Sequence, residues 1–340
     1  MIYFLNDYSQ GAHPKVLEKM IQTNEEWNIG YGLDVHCKNV EKILREKLGK
    51  ENCHVHLMIG GTPTNVITIA SALRPYECVI AVKSGHIYVH ETGAVEATGH
   101  RVLTVEGVDG KLQPEGIDKA MAEFDDEHTL QPKMVYISNS TEIGTVYTKA
   151  ELQALSAKCK EYGLYLYMDG ARLASALTCE DCDLTLKDIA EYVDAFYIGG
   201  TKNGAMFGEA LVILNDEIND HFRWMIKRNC GMLAKGHLIG TQFEALFEDD
   251  LFLQIGQHEN DMAKYLRDGI EKAGYGFFSP SKTNQIFPIL PKTLIEKLKE
   301  NFVFSEWAPV DEEHAAVRFV TSWGTSFEDV KTFVDMLTQA

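Results

Sequence analysis

Leu164-Tyr165-Leu166-Tyr167-Met168 runs directly into Asp169-Gly170-Ala171-Arg172, so an unbroken apolar and aromatic run ends on a carboxylate, two small residues and a guanidinium. Such a run, without polar alternation, reads as a strand buried on both faces. Downstream, Ala195-Phe196-Tyr197-Ile198 is a second run of the same kind, and it opens into Gly199-Gly200-Thr201-Lys202-Asn203-Gly204. Upstream, residues 55–59 lead into Gly60-Gly61-Thr62-Pro63-Thr64-Asn65. Residues 78–82, 101–105, 134–138 and 210–214 supply the remaining strands. Helical spacing fills the gaps: 39–48 (Val40, Ile43, Leu44, Leu48, with Gly49 as the stop), 65–73 and the amphipathic stretch 149–162. Strands and helices alternating in this way predict an α/β fold with a mostly parallel seven-stranded sheet sandwiched by helices. We assign it to residues 15–245. Beyond about 245 the pattern changes to a long helix, 251–273, then short strands and a final helix, 327–337. This is read as a small α+β domain of residues 246–340, joined by the N-terminal segment 1–14.

In open α/β sheets, ligands bind just beyond the carboxyl ends of the strands. Asp169, Lys202 and the Gly60-Gly61-Thr62 turn all fall at such ends. A lysine among three glycines after a buried strand is an unusual place for a solvated charge. Its plain reading is a loop lysine, and a lone Gly-Gly-Thr is a weak signal. Together the three elements match what pyridoxal 5′-phosphate (PLP) requires. The cofactor needs an amine for a Schiff base and a carboxylate to keep its pyridine nitrogen protonated. It also needs backbone N–H groups at a helix start for its phosphate.

Composition removes other classes. The chain has 340 residues with 32 basic and 50 acidic side chains, a formal charge of −18. That balance disfavours nucleic acid and anionic membranes, which attract concentrated Lys and Arg. The acids are dispersed; 123–127 is the densest run. No apolar stretch approaches a bilayer span, and the first residues lack a basic leader, so a cytoplasmic protein is expected. Seven cysteines, an odd number, fit reduced thiols. Cys179-Glu180-Asp181-Cys182 lacks a second pair at zinc spacing, and His54 and His56 read as two residues on one strand face. No metal site is expected.

With Lys202 placed 33 residues after Asp169, the Asp169-Gly170-Ala171-Arg172 motif closely resembles the threonine aldolase and β-eliminating lyase family of fold-type-I PLP enzymes. The likeness extends over nearly the whole chain. Gly11 to Pro14, Tyr31 to Asp34, Gly60 to Asn65, Ser84 to Gly93, Asn139 to Tyr147 and Val317 to Trp323 each resemble a family segment.

The resemblance implies that Lys202 carries the cofactor as a Schiff base and Asp169 pairs with its ring nitrogen. His86 would stack on the ring near the substrate hydroxyl, acting as the base directly or through water. Gly60, Gly61, Thr62 and Thr201 would hold the phosphate. Arg172 would lie by the ring and, with Arg318, bind the substrate carboxylate. Lys227, Arg228 or Lys235 would reach a neighbouring subunit's phosphate, or else form a plain basic helix face. Two departures stand out. Family members carry a histidine near the substrate hydroxyl where this chain offers Thr141 and Glu142, so Glu142 is a rival base. They also carry a serine on the substrate carboxylate where this chain has Asn6. The implied activity is cleavage of L-threonine, L-allothreonine or a related β-hydroxy-α-amino acid to glycine and an aldehyde. The alternatives are a β-eliminating lyase, a racemase or an aminotransferase acting on another amino acid. A small-molecule substrate and a homo-oligomer, dimer or tetramer, with shared sites are implied as partners.

Overall fold

The apolar runs assemble into one seven-stranded sheet, ordered His54–Met58, Glu209–Ile213, Ala195–Gly199, Tyr165–Asp169, Gln131–Ser138, Glu77–Val82 and Val102–Val105. The five strands from Ala195–Gly199 to Val102–Val105 are mutually parallel. Glu209–Ile213 runs antiparallel between its two neighbours. The computed structural model describes residues 1–124 and 126–339; Asp125, in the expected acidic run, lies outside the described residues.

Both faces of the sheet are covered, as its unbroken apolar strands require. On one face Val135, Leu166, Phe196 and Val212 pack with Leu152, Leu155, Ile189 and Phe243. On the other, Val79, Met134, Tyr167 and Leu211 meet Ile67, Ile69, Phe222 and Ile226. Burying a side chain such as Phe196 completely stabilises the fold by about 1.5–3 kcal/mol. Local signals set the helix ends. Lys149–Tyr162 opens on a capping box, in which the Thr148 hydroxyl accepts the Glu151 N–H and the Glu151 carboxylate accepts the Thr148 N–H. It stops at Gly163, whose φ of 65° is left-handed.

The third core gathers Phe4, Phe302, Phe319 and Phe333 with Leu266 and Ile270. Strand Ile2–Tyr3 pairs in parallel with Phe302–Val303. Strand His314–Val320 pairs antiparallel with Ser305–Pro309, Ile289–Pro291 and Gln285–Ile286. The long helix Leu251–Lys272 belongs to two cores: Leu251, Phe252 and Ile255 pack in the large-sheet core, Ala263, Leu266 and Ile270 in the small one. Two helices begin earlier than their apolar spacing suggests. Val35–Leu48 starts at an Asp34 cap that accepts the Cys37 N–H, and Gly61–Ala72 starts four residues before Asn65.

All seven cysteines are free thiols. His54 and His56 bond Asp216 and Asn219 on one neighbouring helix, a structural use. Among the described residues no helix is long and apolar enough to cross a membrane, and no cluster of three or more His, Cys, Asp or Glu is placed to hold a metal ion.

Candidate active site

Asp169 is the last residue of its strand and is buried. The chain turns so tightly after it that a Cβ on Gly170 would lie 1.9 Å from the Tyr197 carbonyl oxygen; only glycine fits. Asp169 Oδ2 accepts from the Tyr136 hydroxyl at 2.6 Å and from Asn65 Nδ2 at 3.1 Å, and Oδ1 accepts the Ala171 N–H at 3.0 Å. Burial alone would raise its pKa. The His86 charge and the hydrogen bonds outweigh burial and hold it below the ordinary aspartate value, so it stays ionised.

Lys202 lies in the loop that leaves the neighbouring strand Ala195–Gly199, with its Nζ 5.9 Å from the Tyr8 ring centroid. Desolvation and the Arg172 charge lower its pKa against the pull of Asp7, Glu142 and Asp169. The loop is anchored from below. Gly200 N–H donates to Glu209 Oε2 at 2.8 Å, and the Thr201 hydroxyl donates to Glu209 Oε1 at 2.7 Å.

Because the helix Gly61–Ala72 starts at Gly61, the glycine and Thr62 lie in its first turn. Their N–H groups face no carbonyl of the helix, and no side chain caps this end. The Thr64 hydroxyl bonds back to the Gly60 carbonyl at 2.7 Å. The result is an open, electropositive helix start of the kind that binds phosphate.

His86 begins the short helix His86–Val89. Its Nδ1 lies 2.8 Å from Glu91 Oε1, which also accepts from Asn65 Nδ2 at 2.8 Å. Asn65 takes the Tyr167 hydroxyl on its own oxygen at 2.9 Å. Asn65 therefore bridges the histidine's partner Glu91 and the carboxylate Asp169. With Nδ1 occupied, Nε2 is the nitrogen left for proton transfer. Burial pulls the His86 pKa down, but the Glu91 bond and the Glu142 and Asp169 charges lift it above its ordinary value.

The two arginines differ. Arg172 Nε donates to Asp7 Oδ2 at 2.6 Å and Nη2 to Asp7 Oδ1 at 3.1 Å, so the edge expected to share a substrate carboxylate already grips a buried aspartate. Arg318 is open: its buried Nε has no partner among the described residues, and its guanidinium sits 5.4 Å from the Trp307 ring centroid. Asn6 is also placed differently from expectation. Its side-chain oxygen accepts from the Tyr8 N–H and the Ser9 hydroxyl, and it lines a surface recess with Gln10, Ser322 and Thr325. The residue of this segment that meets Arg172 is Asp7, one position on. Glu142 is half-buried and acts electrostatically on His86, Lys202, Arg172 and Arg318. The Thr141 hydroxyl is taken up by Thr145 at 2.6 Å. Lys227, Arg228 and Lys235 are exposed, with Lys227 Nζ 4.9 Å from the Tyr31 ring centroid.

The sequence profile described as beta-eliminating lyase matches residues 4–292, most of the chain. The chain belongs to this family. Within it, a low specificity L-threonine aldolase of Pseudomonas aeruginosa is 30% identical over 334 residues, 96% of this chain and 94% of the relative. A solved Leishmania major threonine aldolase is 48% identical, with a TM-score of 0.99 over 100% of this chain and 99% of that one. A Thermus thermophilus aspartate aminotransferase, 16% identical at a TM-score of 0.73, shares the fold.

Measured against the family segments, the sequence reading missed Asp7, Tyr8, Asn65, Tyr136 and Glu209. Of these, Asn65 alone stands in a motif, as the last residue of Gly60–Asn65, and no role was read for it there. His90 was also passed over: its ring centroid is 5.5 Å from that of His86, and Arg318 and Lys202 act on its charge. Only its i+4 spacing from His86 on a turn of helix hinted at the pairing.

Proposed function

We propose that this lyase binds PLP through Lys202 and cleaves the Cα–Cβ bond of L-threonine, L-allothreonine or a related β-hydroxy-α-amino acid, yielding glycine and an aldehyde. The observation that carries this reading is the opposite tuning of two neighbouring groups. Lys202 is pushed towards the neutral amine that attacks a carbonyl, while buried Asp169 is kept ionised for a cationic ring nitrogen. The bare helix start at Gly61 and Thr62, with Gly60 as its cap residue, suits the phosphate, and the family resemblance adds Thr201. When bound, the cofactor supplies the electron sink for the broken bond.

The chain's own groups do the rest. The Arg318 guanidinium, which makes no ion pair among the described residues, would hold the substrate carboxylate, and Arg172, whose charge acts on Arg318, is held in place by Asp7. Holding the carboxylate orients Cα–Cβ for cleavage. His86 accepts the β-hydroxyl proton on Nε2, steadied by Glu91 through Nδ1. The names of the P. aeruginosa and L. major relatives support threonine as the substrate class.

The same reading extends to assembly and location. Ile21, Trp27, Ile29, Leu33 and Val35 are 75, 101, 67, 47 and 54% exposed within one short segment, the kind of surface a second copy covers. Free thiols suit the cytoplasm. The test of function is product analysis on L-threonine and L-allothreonine with added PLP. Glycine and acetaldehyde in equal amounts are expected; 2-oxobutanoate and ammonia would show β-elimination instead. A requirement for a keto acid would show transamination.

A further inference from the structure

Glu209 sits in the large sheet between Met58 on one side and Gly199 on the other, and it is buried. Both carboxylate oxygens are spent on the loop that carries Lys202: Oε2 on the Gly200 N–H and Oε1 on the Thr201 hydroxyl. Thr201 Oγ1 in turn accepts the Gly208 N–H at 3.0 Å. A threonine hydroxyl owns a single proton, and an ionised carboxylate can only accept. While Glu209 is ionised, the Thr201 proton points at Glu209 and none remains for an anion.

A phosphate held by Gly61, Thr62 and Thr201 changes that balance. We propose that Glu209 takes up one proton when a phosphate ester binds, so that Glu209 donates to Thr201 Oγ1 and Thr201 turns its own proton to the phosphate. This rests on the PLP reading and gives Glu209 the role of a positioning residue. No bond other than O–H is made or broken; the proton comes from solvent. Glu209 pairs with Met58, the last residue of the edge strand and two residues before Gly60, so it sits at the end of the sheet from which the phosphate helix starts. A second anion there adds like-charge repulsion, which favours the neutral carboxyl. Burial has already pushed Glu209 up to about 7, against the bonds from Thr201 and Gly200 and the Lys202 charge. The other titratable groups facing it are Tyr167 and Tyr197, which stay neutral because burial raises both well above their ordinary value.

The test is calorimetry on the apoprotein at pH 8, in two buffers of different ionisation enthalpy. The probes are pyridoxamine 5′-phosphate and pyridoxamine, a pair that forms no bond to Lys202 and differs only in the phosphate. The wild type is expected to take up about one proton more with the phosphate ester than without it. Its affinity for the ester, relative to Glu209→Gln, should weaken about tenfold per pH unit above the Glu209 pKa. Glu209→Gln is expected to show no uptake, because the amide donates to Thr201 permanently and still accepts the Gly200 N–H. Thr201→Val, which lacks the relayed proton, is expected to lose the uptake even if the glutamine variant does not fold. Equal uptake in the wild type and a folded variant, or none in the wild type, overturns the proposal. Visible imine absorption with PLP but no proton uptake sinks this inference alone, whereas a protein that forms no imine sinks the reading beneath it.

Discussion

Arg172 and Asp7, 165 residues apart in sequence, meet in a buried two-point ion pair, with Nε to Oδ2 at 2.6 Å and Nη2 to Oδ1 at 3.1 Å. Asn284 Nδ2 adds a third bond to Asp7 at 2.9 Å. The N-terminal segment, the Asp-Gly-Ala-Arg turn and the C-terminal region are thereby tied together beside Lys202. Charge on Arg172 also lowers the Lys202 pKa, so the pair belongs to the site as well as to the fold.

Removing one partner of a buried pair leaves the other uncompensated, which costs about 3–5 kcal/mol. Asp7→Ala should lose stability on that scale in urea unfolding. A loss below about 1 kcal/mol, the level of an exposed pair, would show that Arg172 finds other company.

Asp169→Asn keeps the side-chain shape but removes the charge proposed for the ring nitrogen. Since that charge acts mostly in the transition state, kcat should fall by about a hundredfold or more. The amide oxygen can still accept from Tyr136 and Asn65, but its NH2 then faces the Ala171 N–H, so stability should fall by about 1–3 kcal/mol, well short of unfolding the protein. Near-normal turnover would remove Asp169 from the chemistry.

Binding and bond breaking should separate. Arg318→Ala is expected to raise KM mainly, because a carboxylate is held equally in ground and transition states. His86→Asn is expected to lower kcat more than it raises KM. Glu142→Gln, measured on threonine beside it, decides the base. A dead glutamine variant with an active asparagine variant would transfer the role to Glu142.

The pH dependence follows from His86, whose pKa lies above the ordinary 6.5. A base must be neutral to accept a proton, so kcat/KM should fall as pH drops through that raised value, above 6.5. The same shift stabilises the folded protein fully below pH 6.5 and is lost as pH rises through the raised pKa. In Glu91→Gln burial gains weight, and the acid limb should move to lower pH. An unmoved limb would mean that another group titrates.

Much of this was legible in the sequence because the signals are local. Short apolar runs marked all seven large-sheet strands, two of them interrupted by His56 and by Thr104, and Gly49 and Gly163 closed their helices as left-handed residues. The helix ends that shifted did so where polar first turns hide the period, at His36 and Lys38 and again at Thr62 and Thr64. Position at strand ends supplied Lys202 and Asp169 as candidates, and the likeness to a family added His86 and Arg318. What it did not supply is the set of partners that tunes them. Tyr136 reaches the site through the parallel pairing of its strand with Tyr165–Asp169, Glu209 through the antiparallel pairing of its strand with Ala195–Gly199, and Asn65 from the helix Gly61–Ala72, so each is joined to the site by tertiary pairing that no local signal shows. Asn6 entered as the residue standing where the family has a serine; the ion pair of its neighbour Asp7 with Arg172 joins segments 165 residues apart, and no local signal shows it.

The central claim is that Lys202 carries the cofactor. Borohydride reduction of the protein loaded with PLP, followed by peptide mapping, tests it directly. The account predicts a pyridoxyl group on Lys202, with Lys202→Ala losing both the label and the visible imine absorption. A pyridoxyl group fixed on any other lysine would contradict it.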